Sequence, residues 1–486
     1  MRLDEYAACD GTGLAQLLAK GETTPRELGR CVLKAVETVN PAINAVVELY
    51  HDALEALPDS RQAGPFFGVP TLTKDFPVER GRPAEFGSRL ALGFRADHDA
   101  RYWALLREGG LINVGRTASS EFGVPATTEN SLYGATRNPW NTAHGVAGSS
   151  GGAAAAVAAG IVPFAQGSDG GGSIRNPASF CGLIGLKPSR GRISGSPGPN
   201  APLLGLATAF MLTRSVRDTA LLLDLCHGPD DGDGYEIVPP RESYAVASQR
   251  APGRLRVALC TASWSDHPVD GEVAATAVAV GRKLADLGHF VEEMSPDFDY
   301  ETFLEAQKII WAADCAADLK AMAARMERDL GEETLGTSVY ALYRYGTGVS
   351  GVQLIDALGA YDRTTRQVGR SLRGYDLLLT PTSAIPPEPI GTYDPDRQGV
   401  DADGVFADLA PKETFTALFN ATGQPAISLP LGHTRAGLPI GVQLVARFGR
   451  EDLLLAVAHQ IEQQIGNGPG IWGQGLPGIH AAASKG

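Results

Sequence analysis

Two serines stand in glycine-rich runs on either side of one short apolar segment. The first run reads Gly145-Val-Ala-Gly-Ser149-Ser150-Gly151-Gly152, and the second reads Gly167-Ser-Asp169-Gly170-Gly171-Gly172-Ser173-Ile-Arg175. Three glycines ahead of Ser173 remove side chains where successive backbone N–H groups can converge on one oxygen, as an oxyanion hole requires. A hydroxyl beside such a hole is a candidate nucleophile, but a serine needs a base to activate it. Of nine histidines, only His144 lies in a glycine-rich run. A lysine serves instead if burial lowers its pKa towards neutrality. Lys74, at the end of the apolar run Gly68-Val-Pro-Thr-Leu-Thr, is the best candidate.

Each signal also has a plainer reading. A glycine-rich loop is usually a turn, and Lys74 alone reads as a surface lysine beside Asp75. What favours chemistry is the combination of two Ser/Gly loops and the segment that joins them. Residues 151–160, Gly-Gly-Ala-Ala-Ala-Ala-Val-Ala-Ala-Gly, are apolar all round and predict a helix buried on every side.

The elements around the loops follow from periodicity and punctuation. Residues 10–40 read as helical, with a capping box at Thr24-Pro25-Arg26-Glu27 and a stop at Asn40-Pro41. Helices are predicted over 101–108, 214–225, 271–287 and 453–465. Strands are predicted over 68–75, 111–114, 161–165, 255–259 and 377–380, with a strand pair at 426–429 and 440–445. Residues 115–148 are expected to hold little regular structure, and the tail after Gly466 to be extended. Strands and helices interleave throughout, which predicts an α/β fold: a large mixed central β-sheet covered by helices on both faces. One domain over residues 1–486 is expected, with a catalytic core at about 60–225 and a surface excursion at 228–252.

Composition bounds the function. A net charge of −13 and the lack of a Lys/Arg run argue against nucleic acid. The six cysteines form no C-x-x-C pair or zinc spacing, so neither a metal nor another cofactor is expected. No apolar run approaches the ~20 residues that span a bilayer. Without an apolar signal core at the N-terminus, the expectation is a cytoplasmic protein with no membrane partner.

With these motifs in place, the chain resembles the amidase signature family. The matching residues include Gly68-Val-Pro with Lys74-Asp75, Gly148–Gly152, Gly171–Arg175, Cys181-Gly-Leu-Ile-Gly-Leu-Lys-Pro188, Phe419-Asn-Ala-Thr-Gly-Gln-Pro-Ala426 and Gly437-Leu-Pro-Ile-Gly-Val-Gln443. The likeness runs from about residue 10 to 465. Within the family it is similar to hydrolases of cyclic 6-aminohexanoate dimers, through Phe94–Asp99, Thr127–Glu129 and Gly449–Leu455.

The resemblance implies a small-molecule amide substrate and a Lys74, Ser149, Ser173 triad. It implies that a cis peptide bond precedes Ser149. The oxyanion hole would be the N–H groups of Gly170, Gly171, Gly172 and Ser173, with Asp169 and Arg175 supporting the loop. Phe122, Gly123, Val124, Trp311 and Cys315 are candidates to line the substrate pocket; a helix-buried thiol is the alternative for Cys315. A homodimer is a general expectation. Two departures bear on the pocket. Gly170 stands where the family usually has threonine, which should leave extra room near the reacting carbonyl, and Ala147 replaces a common glycine.

The rival readings are weaker. Gly148-Ser-Ser150-Gly-Gly152 fits the G-x-S-x-G elbow, but residues 141–147 supply no apolar strand before it. Within the family, the alternative is the glutaminase component of a tRNA-dependent amidotransferase.

Overall fold

The computed structural model describes residues 1–58 and 64–465. The expectation of an extended tail after Gly466 lies outside them. The strands in chain order are β1 (Val46–Leu49), β2 (Pro70–Lys74), β3 (Ile112–Thr117), β4 (Glu129–Asn130), β5 (Gly134–Ala135), β6 (Arg137–Asn138), β7 (Asn141–Gly145), β8 (Ala165–Asp169), β9 (Ile184–Lys187), β10 (Thr208–Thr213), β11 (Arg256–Leu259), β12 (Phe290–Glu293), β13 (Leu377–Pro381), β14 (Ala426–His433) and β15 (Pro439–Ala446). Eleven of them form one mixed sheet in the order β1-β3-β2-β8-β10-β9-β14-β15-β13-β11-β12, and helices cover both faces. The chain therefore has the α/β fold that its interleaved periodicities predict.

Two parallel and antiparallel neighbours place the chemistry. β2 runs parallel to β8 through Leu72 and Ala165, which brings the end of β2 beside the start of the second glycine run. β8 is antiparallel to β10 over Thr208–Leu212. The helix Gly151–Ala158 lies under these strands with every residue buried. Only Gly and Ala, with one Val, allow backbones to approach this closely. A methyl group on Gly152 would stand 2.4 Å from the Ala118 carbonyl oxygen.

Local differences from the sequence reading have physical causes. The strand expected at 161–165 is instead Ala165–Asp169. Pairing with β10 selects the glycine- and serine-containing segment over the more apolar one, a case of tertiary context overriding propensity. The first helical region breaks at Gly21, which is left-handed, into Gly11–Lys20 and Pro25–Ile43. The second helix passes Pro41 and ends at Asn44, also left-handed. Pro41 lies in the last turn, and Asn40 accepts from the N–H groups of Ala45 and Val46. The loop-rich region 115–148 contains the four short strands β4–β7, paired as two ribbons.

Two large apolar clusters, with a small third at Ala84, Ala91 and Phe94, pack the described residues. The larger gathers on the sheet and the Gly151–Ala158 helix. The other is built around helices Tyr300–Met326, Thr337–Gly346 and Gly351–Ser371. Among the described residues, no helix is long and apolar enough to cross a membrane.

Candidate active site

Lys74 is the last residue of β2 and is 1% exposed. Its Nζ donates to Ser149 Oγ at 2.7 Å and to Ser168 Oγ at 3.0 Å. Successive residues of a strand point to opposite faces, so Asp75 does not neutralise the amine. It turns instead to Arg116, 2.7 Å away, and accepts from the N–H groups of Glu85 and Gly87. Burial pulls the Lys74 amine down to about 7, against the opposing pull of Asp169 and Asp75. The plainer reading of Lys74 as a surface lysine is therefore excluded by its position.

Depression alone does not mark a site. Burial lowers Lys187 to about 7 as well. Its Nζ, however, donates to the Pro188 carbonyl at 2.9 Å. Lys74 differs by the two serines in front of it.

Ser149 follows a cis peptide bond after Gly148. The two serine loops are stitched together through Ser150. The Ser150 N–H donates to the Ser173 carbonyl at 3.2 Å, and Ser150 Oγ exchanges hydrogen bonds with the backbone of Ser168. Ser173 is 4% exposed, and its hydroxyl makes no hydrogen bond to protein among the described residues, Ser149 Oγ included. The arrangement thus brings Lys74, Ser149 and Ser168 into direct contact and holds Ser173 on the adjoining loop.

The glycine loop is clamped from behind. Asp169 Oδ2 accepts from the N–H groups of Ile174 and Arg175 and from Arg175 Nε, and Oδ1 pairs with Arg175 Nη2 at 2.8 Å. Burial would raise this carboxyl, but Arg175, together with Asn420 and Lys187, outweighs it and holds Asp169 down to about 2. Asn420 Nδ2 donates to both the carbonyl and the carboxylate of Asp169. Thr416 Oγ1 donates to the Gly171 carbonyl at 2.6 Å. With that carbonyl tied down, the loop's N–H groups are free to face elsewhere. Those of Gly171, Gly172 and Ser173 donate to no protein acceptor among the described residues.

The pocket candidates separate into two groups. A methyl group on Gly123 would stand 3.4 Å from Ser149 Oγ, so this backbone abuts the site directly. Phe122 stacks on Phe86 at 5.1 Å, and Val124 is buried in the helical cluster. Trp311 lies against the loop. A methyl group on Gly170 would meet its ring at 3.2 Å and Leu203 at 3.0 Å. The extra room expected from Gly170 is therefore filled by these two side chains. Cys315 sits one helical turn beyond Trp311, 9% exposed, and burial pushes its thiol up, leaving it uncharged. Three contributors escaped the sequence reading: Ser168, Thr416 and Asn420. Asn420 and Ser168 stood within motifs already noted, at 419–426 and 167–173.

The α/β fold thus carries a buried amine–serine arrangement beside a glycine-rich loop. Comparison with known proteins makes this specific. The amidase family model matches residues 27–455. The 6-aminohexanoate-cyclic-dimer hydrolase of Paenarthrobacter ureafaciens is 38% identical over 473 residues, covering 93% of this chain and 94% of the relative. A solved structure of 6-aminohexanoate cyclic dimer hydrolase superposes with a TM-score of 0.88 at 36% identity, covering 94% of this chain and 97% of that one. A glutamyl-tRNA(Gln) amidotransferase component of Synechococcus sp. (strain WH7803) is 35% identical over 481 residues, covering 92% of this chain and 95% of the relative. The chain belongs to the amidase family. It is a hydrolase of amide C–N bonds.

Proposed function

We propose that this protein hydrolyses a small-molecule carboxamide, acting alone, with Ser173 as nucleophile, Ser149 as proton relay and Lys74 as base. The observation that carries the reading is the 2.7 Å contact between a fully buried lysine amine and Ser149, with no carboxylate among the described residues paired to that amine. An amine that sheds its proton near pH 7 can accept one from Ser149, which in turn takes one from Ser173. The second link closes when substrate arrives, since catalytic hydrogen bonds often tighten only in the complex.

Ser173 Oγ bonds to the amide carbon. The carbonyl oxygen becomes an oxyanion against the N–H groups of Gly170, Gly171, Gly172 and Ser173. The proton on Lys74 returns through Ser149 to the amide nitrogen, the C–N bond breaks and the amine leaves. Water then attacks the acyl-enzyme, giving one proton to the same relay; the bond to Ser173 Oγ breaks as the relay returns that proton to it, and the acid departs.

The likeness to hydrolases of a cyclic amide favours a compact amide substrate and a free-standing enzyme over a glutaminase that works inside an amidotransferase complex. The test is Ser173→Ala in purified protein, assayed on a panel of cyclic, linear and aryl amides. Activity should fall to background while the fold persists. Undiminished turnover in that variant, or activity only with an added partner protein, ends the respective half of the proposal.

A further inference from the structure

One buried carboxyl that the reaction scheme leaves unused packs against the catalytic glycine loop. Glu413 ends the helix Ala402–Glu413 and is 7% exposed. Its Oε2 is buried without a hydrogen-bond partner among the described residues. A methyl group placed on Gly171 would stand 2.5 Å from that oxygen, and the two next-nearest atoms would also belong to the Glu413 carboxyl. Gly171 is thus bare of a side chain on the face this acid occupies.

The same segment holds the loop by other means. The Thr416 N–H donates to the Glu413 carbonyl at 3.0 Å, and the Thr416 carbonyl accepts from Arg175 Nη1 at 2.9 Å. With the Thr416 hydroxyl on the Gly171 carbonyl, residues 413–416 form the wall behind Gly171 and Gly172.

The charged and titratable groups around Glu413 come from several elements. They are Asp169 of β8, Arg175 of the helix Arg175–Cys181, Lys412 beside it, Tyr300 of the helix Tyr300–Met326, and Tyr361 of the helix Gly351–Ser371. The cations are already engaged, Arg175 with Asp169 and Lys412 with Glu388. Burial, with Asp169 adding to it, pushes Glu413 up to about 8 against Arg175 and Lys412. At neutral pH the acid therefore keeps its proton.

We propose that Glu413 is a positioning residue for the oxyanion loop, uncharged when the enzyme is active, and that its ionisation shuts the reaction off on the alkaline side. A carboxylate accepts N–H hydrogen bonds strongly. Glycine peptides turn easily because no side chain resists. An ionised Glu413 would draw the loop's N–H groups towards itself and oppose the negative charge that develops on the substrate oxygen. The neutral acid does neither. The inference rests on the Ser173 reading, since it needs an oxyanion at this loop.

The test is the pH dependence of kcat and KM for an activated anilide substrate, measured for the wild type, Glu413→Gln and Lys412→Met. The wild type should show a fall in kcat on the alkaline side. Glu413→Gln, uncharged at every pH, should lose that fall; at neutral pH kcat should drop only a few-fold, with KM nearly unchanged. Glu413→Ala should lower neutral kcat by ~10-fold or more, with Gln restoring most of it. Lys412→Met removes a nearby cation, makes Glu413 harder to ionise and should move the alkaline limb to higher pH at unaltered neutral activity. It can be read even if Glu413→Gln does not fold. An alkaline limb that persists in Glu413→Gln at the wild-type midpoint, or that stays put in Lys412→Met, overturns the inference. An active Ser173→Ala variant would instead sink the underlying reaction scheme, so the two failures are distinguishable.

Discussion

Lys74 Nζ lies 2.7 Å from Ser149 Oγ in a setting that burial makes hostile to charge. An ammonium without a paired carboxylate loses far more by leaving water than two hydroxyls return to it, so the amine sheds its proton near pH 7. The base form is the one with a lone pair for Ser149. The rate should therefore rise as pH increases through about 7 and flatten above, until Glu413 ionises.

Arginine at position 74 would end that dependence. A guanidinium stays protonated at any working pH and cannot act as the base. Lys74→Arg should lose on the order of 10²–10⁴-fold in kcat, the range of general base catalysis, with no recovery at high pH. Stopped assays from acid to alkaline pH decide it. A Lys74→Arg enzyme within about tenfold of the wild type would remove Lys74 from the role of base.

The glycine loop and its serines were legible in the sequence because their chemistry is local. Ser149, Ser173 and the Gly170–Gly172 run announce themselves by type and spacing. The Gly151–Ala158 helix was legible because no face of it is polar. Lys74 stood out at the end of an apolar run, but its contact with Ser149 needed the third dimension: nothing in its neighbours says that β2 runs beside β8. The helices Tyr300–Met326, Thr337–Gly346 and Gly351–Ser371 were not foreseen, though Trp311 and Cys315 were noted within one of them. The first of these packs on several neighbours at once, so apolar residues spread around its axis and blur the periodicity on which a sequence reading depends. Thr416 and Glu413 reach the loop from far along the chain, with a separation of 245 for the Thr416–Gly171 bond. Such contacts leave no local trace.

Ala147 occupies a left-handed conformation, φ 55°, at a position where a glycine would be at ease. Left-handed geometry costs a side-chain-bearing residue roughly 1–2 kcal/mol. Glycine returns roughly 0.5–1 kcal/mol of that through the extra freedom of the unfolded chain. Strain relief is the larger effect, so Ala147→Gly should be neutral to stabilising by about 1 kcal/mol. Chemical denaturation checks this. A clear loss of stability would mean that the buried Ala147 methyl packs better than its backbone suffers.

Trp311 covers Gly170 from the helical side, in the space that a side chain on that residue would enter. Removing the indole should open the pocket without touching Lys74, Ser149 or Ser173. Trp311→Ala should raise KM for the preferred amide more than it lowers kcat, and should improve relative activity on bulkier acyl groups. If kcat alone collapses at constant KM, Trp311 acts by fixing the loop and not by bounding the pocket.

Asp169 and Arg175 form a pair with neither side chain exposed, and that pair anchors the Gly170–Gly172 loop. Breaking a buried pair by removing one partner typically costs about 3–5 kcal/mol, because the other charge is left unpaired. Arg175→Met should therefore be strongly destabilised. Its residual folded fraction should be poorly active, since the guanidinium no longer ties the loop to the Thr416 carbonyl, Gln443 and Asn420. The pH dependence has a definite sign. The Asp169 carboxyl is depressed from 3.8 to about 2 in the folded protein. The unfolded chain therefore takes up its proton first as pH falls. The contribution is fully present above pH 3.8 and is lost as pH drops through about 2. Asp169→Asn should lack that component of acid denaturation. Denaturation midpoints of the wild type and Asp169→Asn at neutral and strongly acidic pH measure it. The gap between the two proteins should narrow on acidification; a gap that stays constant would show that the pair contributes geometry alone.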